Sequence, residues 1–125
     1  MNNASPADIN RSVKDLGRSR PSLGAFVHDS QSDLESIHVF GEIDLTNAGE
    51  FHSAIHRLVD LKRPIVVDLT RCSFMGSAGV HVLERLSQKA ELRVTVAQDS
   101  LPRRLLDLVN ASTFLSITCA SVPKL

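Results

Sequence analysis

Pro64-Ile65-Val66-Val67-Asp68-Leu69 is a nearly continuous apolar run, the pattern of a central strand buried on both faces. After Cys72-Ser73-Phe74-Met75-Gly76-Ser77, Val80, Leu83 and Leu86 recur at helical spacing while Glu84, Arg85 and Gln88 fall on the other side. A strand feeding an amphipathic helix is the unit of a layered α/β domain, and the flanking sequence repeats it. Upstream, Leu23 to His28 and Ile37 to Phe40 are separated by the polar Asp29-Ser30-Gln31-Ser32-Asp33, which predicts two strands joined by a hairpin. Beyond Gly41-Glu42-Ile43-Asp44-Leu45, Thr46 or Asn47 can cap a helix, and Asn47 has Glu50 at the capping-box spacing. Phe51, Ile55, Leu58 and Val59 share a face of that helix, which should stop near Leu61 because Pro64 disfavours helical backbone before it. Downstream, Leu92 to Ala97 alternates as a strand. Ser100 caps a third helix with Pro102 in its first turn, Leu105, Leu108 and Val109 forming its inner face, and an end near Asn110. Phe114 to Cys119 is a last short strand. The order β-β-α-β-α-β-α-β predicts an α/β domain with a mostly parallel, mixed sheet of about five strands, the first antiparallel.

A chain of 125 residues suits one domain burying roughly two-thirds of the surface its unfolded form exposes. Residues 1–22 are rich in Ser, Asn, Asp and Arg and read as a flexible tail, 23–121 as the domain, and 122–125 as a C-terminal tail. Within the first tail, Ser5-Pro6 with Ile9, Val13, Leu16 and Gly17 also allows a short docking helix. Fourteen Lys plus Arg balance fourteen Asp plus Glu, so no global field recruits nucleic acid or an anionic membrane. Without a membrane-length apolar run or a secretory signal pattern, the expected location is cytoplasmic. Asn110-Ala111-Ser112 is then a glycosylation sequon without meaning.

Catalysis finds little to rest on. Ser77 lies at a helix start, but Met75 stands where a Gly-x-Ser-x-Gly nucleophile elbow needs glycine, and seven residues separate Leu69 from Ser77. A helix N-cap is the simpler reading of Ser77. His52 and His56 are four apart on the first helix, yet lack the intervening Glu and third ligand of a zinc site. His28 and His38 alternate in strands, and His81 rides a polar helix face. No phosphate-cradling glycine motif is present, and the five Phe occupy positions where a core needs them. The chain is therefore expected to bind rather than to catalyse, with no metal, cofactor or obligatory small molecule.

Two unusual turns remain. Gly41-Glu42-Ile43-Asp44 precedes one helix and Gly76-Ser77-Ala78-Gly79 opens the next. In an α/β sheet such turns share the edge at the carboxyl ends of the strands. They should therefore lie side by side and present Glu42, Asp44, Thr46, Asn47, Gly76, Ser77, Ala78 and Gly79 together as a partner-binding edge.

These residues resemble the STAS domain family, whose small free-standing members are anti-sigma factor antagonists. The likeness covers about Leu34 to Ile117 and is carried by Val39-Phe40-Gly41-Glu42-Ile43-Asp44-Leu45, Ile65 to Leu69, Ser73 to Leu83, and Leu105-Leu106-Asp107-Leu108-Val109 before Phe114-Leu115. It implies partner switching: the unphosphorylated antagonist binds a serine-kinase anti-sigma factor and frees a sigma factor, and phosphorylation by that kinase ends the capture. The family's acceptor lies in an Asp-Ser-Ser/Thr-Gly pattern, immediately before the Gly. Here Gly76 replaces the Asp and Ala78 replaces the acceptor hydroxyl. Ser77 is one residue earlier, which on a helix turns the side chain by about 100°. The resemblance therefore implies an antagonist lacking the usual phosphorylation switch, with Ser77 the one hydroxyl left as a candidate phosphoacceptor. A STAS module of another assembly, such as a lipid-transport accessory subunit, a stress-signalling scaffold or a small-ligand sensor, is the alternative.

Cys72 and Cys119 lack any Cys-x-x-Cys spacing and are expected to be reduced and partly buried. As a candidate redox pair they should sit roughly 10 Å apart with one strand between, whereas a disulfide needs Cα atoms within about 7 Å.

Overall fold

The computed structural model of the chain describes residues 25–31 and 33–121. The expected docking helix and both expected tails lie outside them. Eight regular elements follow in the anticipated order: β1 (Ala25–Ser30), β2 (Glu35–Ile43), α1 (Ala48–Val59), β3 (Ile65–Met75), α2 (Ser77–Ser87), β4 (Leu92–Ala97), α3 (Leu101–Leu108) and β5 (Ser116–Ala120), with a 3-10 turn at Ala111–Thr113 before the last strand. The strands form one sheet in chain order, β1-β2-β3-β4-β5. β1 is antiparallel to β2 and every other pairing is parallel.

The core lies on one face of this sheet. Ile37 and Val39 of β2, Ile65, Val67 and Leu69 of β3, and Val94 and Val96 of β4 alternate inward. They meet Phe51, Ile55 and Leu58 of α1 and Leu83 and Leu86 of α2. Phe26 of β1 extends the layer by packing its ring 5.5 Å from that of Phe51. The opposite face is only partly buried, and this corrects the reading of β3 as covered on both sides: Val66, Asp68 and Thr70 remain half-exposed. Asp68 is the reason the apolar run is not a two-sided core strand. It pairs in register with His38, accepts a 2.9 Å hydrogen bond from that ring through Oδ2, and accepts the Thr70 N–H and hydroxyl through Oδ1.

At the opposite end from the two turns, the β1–β2 hairpin is tied to the α1–β3 connection by a carboxylate that sequence inspection passed over. Glu35 is 1% exposed. Its Oε1 lies 2.6 Å from His28 Nε2, and its Oε2 accepts from Ser30 Oγ at 3.0 Å and from Arg63 Nη1 at 2.9 Å. A buried carboxylate is tolerable because its lone pairs are met in this way. The hydrogen bond from His28, with further help from Ser30 and the His28 and Arg63 charges, outweighs burial and holds the Glu35 carboxyl below its usual range.

Candidate functional site

Both turns sit at the carboxyl ends of β2 and β3, and they touch. The Gly76 N–H donates to the Ile43 carbonyl at 2.9 Å, continuing the parallel β2–β3 ladder that ends on the Ile43–Met75 pair. Gly41 enters the first turn with φ of 90°, backbone that a side chain strains, at a point where the ladder shifts register before Glu42.

Within that first turn the side chains fold back on the backbone. Asp44 Oδ1 accepts the Thr46 N–H at 2.9 Å and the Thr46 hydroxyl at 2.5 Å. These bonds, led by the hydroxyl, lower the Asp44 carboxyl below its ordinary range. Asn47 is buried at 2% exposure, its Oδ1 accepting the Asp44 N–H at 2.9 Å and its Nδ2 donating to the Glu42 carbonyl at 2.8 Å. The capping box expected of Asn47 and Glu50 is therefore not formed, although Asn47 occupies the N-cap position: its amide is committed to holding the turn shut. The result is an internally hydrogen-bonded turn between β2 and α1, with Leu45 84% exposed on it.

The second turn differs more from expectation. β3 runs to Met75, Gly76 is the N-cap of α2 in extended backbone, and Ser77 is the first helical residue. Ser77 is thus not the cap, and the gap anticipated between strand and helix is filled by strand. The apolar run expected to form this strand ends at Leu69. Pairing with Phe40 to Ile43 carries it on. Ser77 is exposed, Ala78 half-buried and Gly79 buried. A Cβ on Gly79 would stand 2.7 Å from Met75 Cγ and 3.1 Å from Ile43 Cγ2, so its absence lets α2 start this close to the strand ends.

Beside Ser77 the surface turns apolar. An open groove of about 300 Å³ is lined by Phe74, Met75, Gly76 and Ser77 on one side and by Leu101, Arg104, Leu105 and Leu108 of α3 on the other. α3 begins as foreseen, with Ser100 Oγ accepting the Arg103 N–H. Its buried residues are Pro102 and Leu106, however, whereas Leu105 is half-buried, Leu108 is 82% exposed and Val109 is exposed. Leu105 packs against the core as expected, but the assignment of Leu108 and Val109 to the inner face is thereby corrected. Leu101, Leu105 and Leu108 are a genuine i, i+4, i+7 stripe that lines the groove, with Leu105 alone also packed against the core. The phenylalanines divide in the same way: Phe51 is fully buried, while Phe40 and Phe74 are about two-fifths exposed. Periodicity could find these residues but not say what they face.

The remaining candidates lie apart from this edge or at its border. Cys72 is buried and its Sγ donates to the Phe74 carbonyl at 3.2 Å. Burial pushes its thiol up to about 11, so it stays protonated at neutral pH. Cys119 is exposed, against the expectation of partial burial, on β5, with β4 between the two cysteines. The His52 and His56 rings stack 5.3 Å apart. Among the described residues no group of three or more His, Cys, Asp and Glu side chains gathers as a metal site, and no helix is long and apolar enough to cross a membrane.

Comparison with known proteins gives a consistent result. The STAS domain family model matches residues 30–120. Anti-sigma-F factor antagonist RsfB of Mycobacterium tuberculosis is 35% identical over 77 residues, covering 58% of this chain and 63% of the relative. The matched stretch thus spans less than two-thirds of that protein's length. The crystal structure of an anti-sigma factor antagonist from Mycobacterium paratuberculosis superposes with a TM-score of 0.73 at 23% identity, over 80% of this chain and 89% of that one. Unphosphorylated SpoIIAA, also an anti-sigma factor antagonist, gives 0.64 at 18% identity, over 78% and 89%. At such identities the structural likeness establishes the fold.

Proposed function

The chain belongs to the STAS domain family, and from that premise we propose that it is an anti-sigma factor antagonist, a cytoplasmic binding protein that captures a serine-kinase type anti-sigma factor and so releases a sigma factor. The observation that carries this reading is the apolar stripe of Leu101, Leu105 and Leu108 facing Phe74 across the start of α2. Exposed apolar surface rimmed by polar residues is what a protein partner covers. Of the expected edge residues, Gly76 and Ser77 line this groove, Asn47 and Gly79 are buried and shape the turns, and in this reading Glu42, Asp44, Thr46, Ala78 and the exposed Leu45 extend the contact surface beyond it. The likeness to RsfB supplies the partner class.

The same reading includes the absence of the usual switch. A phosphate adds up to about two negative charges and reverses a contact surface, but Ala78 has no hydroxyl to carry one. Ser77 begins α2 one residue earlier and is aligned with the apolar groove instead. Incubation with the cognate anti-sigma kinase and ATP should leave the intact mass unchanged. A phosphate adduct lost on Ser77→Ala overturns the constitutive reading.

The partner itself is tested by affinity capture on the full chain in parallel with Leu108→Glu. Recovery of an ATP-binding anti-sigma factor, lost in the variant while its circular dichroism is unchanged, is the expected result. Recovery of transporter subunits instead identifies a STAS module of a different assembly.

A further inference from the structure

The start of α2 is a wedge between two grooves. Ser77 borders the apolar one; Ala78, His81, Val82 and Arg85 line a second, which α1 closes with Ala48, Gly49 and His52. This second groove measures about 410 Å³, within the range of sites for small organic ligands. Its floor and rim are chemically distinct. Ala48, Ala78 and Val82 give it an apolar base, and the side chains above are cationic or imidazole. His56 stacks behind His52, and Arg85 and Lys89 lie close enough to act on the His52 charge.

The two fixed cations here, Arg85 and Lys89, are not neutralised from within. Glu84 Oε1 lies 3.9 Å from His81 Nδ1, at the limit of an ion pair, and among the described residues no carboxylate pairs with Arg85 or Lys89. His52 carries the consequence. Its partial burial first, then the charges of His56, Arg85 and Lys89, hold its imidazole below the ordinary value. Every charged neighbour acting on it is a cation, so an anion entering the groove relieves repulsion. The lining also suits one: a guanidinium capable of bidentate contact with paired oxygens and two imidazoles, His52 from α1 and His81 from α2.

We propose that the groove between α1 and α2 binds a small phosphate-bearing molecule, its phosphate held by Arg85, His52 and His81 and its organic part resting on Ala48, Ala78 and Val82. The apolar base favours a phosphorylated small molecule over an acidic protein segment, which needs charge along a longer track than these few side chains provide. The site does not depend on what covers the leucine groove on the other side of α2.

Histidine side-chain NMR of the full chain, titrated at low ionic strength with glycerol phosphate, inorganic phosphate and sodium chloride, tests this. Saturable shifts of His52 and His81 with both phosphate probes are expected, with His28 and His38 unmoved. Glycerol phosphate should bind several-fold more tightly than inorganic phosphate. Arg85→Gln, an exposed substitution, should weaken binding about tenfold, the loss of one charge-assisted contact. The proposal is overturned by chloride producing the same shifts, by non-saturating behaviour, or by undiminished binding to Arg85→Gln. Equal affinity for the two phosphates overturns the organic subsite. Binding of hexaglutamate but not of either phosphate overturns the small-molecule assignment in favour of an acidic segment.

Discussion

Two helical glycines have opposite surroundings, and their substitution should move stability in opposite directions. Nothing lies within 4 Å of a Cβ added to Gly49, so Gly49→Ala should stabilise by about 0.5 kcal/mol through the smaller entropy loss of alanine. Gly79→Ala drives a methyl against Met75 Cγ and should destabilise by about 1–3 kcal/mol, the scale of overpacking. Urea melts of both variants decide the matter, and equal signs would show that α2 can move off the strand ends. The thiols should separate as cleanly. Cys119 should react with a disulfide reagent in the native protein and Cys72 only after unfolding, because the thiolate is the nucleophile and burial keeps Cys72 protonated. Rapid labelling of both would refute the buried thiol. None of this was legible from the residues alone: a cysteine after a strand and a glycine in a helix read alike whether they face neighbours or water.

At the scale of elements, the helices and most strand positions follow from periodicity, and the exceptions share a cause. β3 outruns its apolar stretch because partner-strand pairing, not side-chain chemistry, extends it. Asn47 forgoes its capping bond because the β2–α1 turn claims its amide. α3 presents leucines outward because nothing in a hydrophobic period says which of two apolar faces is the covered one. The hairpin latch makes a prediction of its own. Glu35 has a lowered pKa in the folded chain, so its stabilisation is complete above the unfolded value of about 4.3 and is lost as pH falls through the folded value. Thermal melts should therefore fall below about pH 4.5, with Glu35→Gln less stable than the parent at pH 7 and its acid loss shallower. Parallel acid profiles would show that Glu35 does not carry the dependence. His28 and Arg63 lie seven and twenty-eight residues from Glu35, a separation that conceals the cluster in the sequence.

For the molecule as a whole, the layer order, the antiparallel first strand and the nearness of the two turns were all readable, since each rests on the alternation of strand and helix. What the turns accomplish was not, because the groove beside Ser77 forms only when α3 returns to β3. Truncating the core under α1 should destabilise the domain without abolishing its fold: Phe51→Ala removes a fully buried ring and should cost about 3–5 kcal/mol, read by a lower denaturation midpoint with an unchanged slope.

The strand order has one more consequence. Each strand lies beside the strand made just before it, so the sheet requires no long-range strand insertion. A nascent chain can extend the sheet at one edge as synthesis proceeds, N-terminal units first. Only the β1–β2 hairpin closes locally, whereas each parallel pairing closes over a crossover helix, a separation that slows folding. Elongation thus runs in the direction of assembly, and β5 is the final strand to dock.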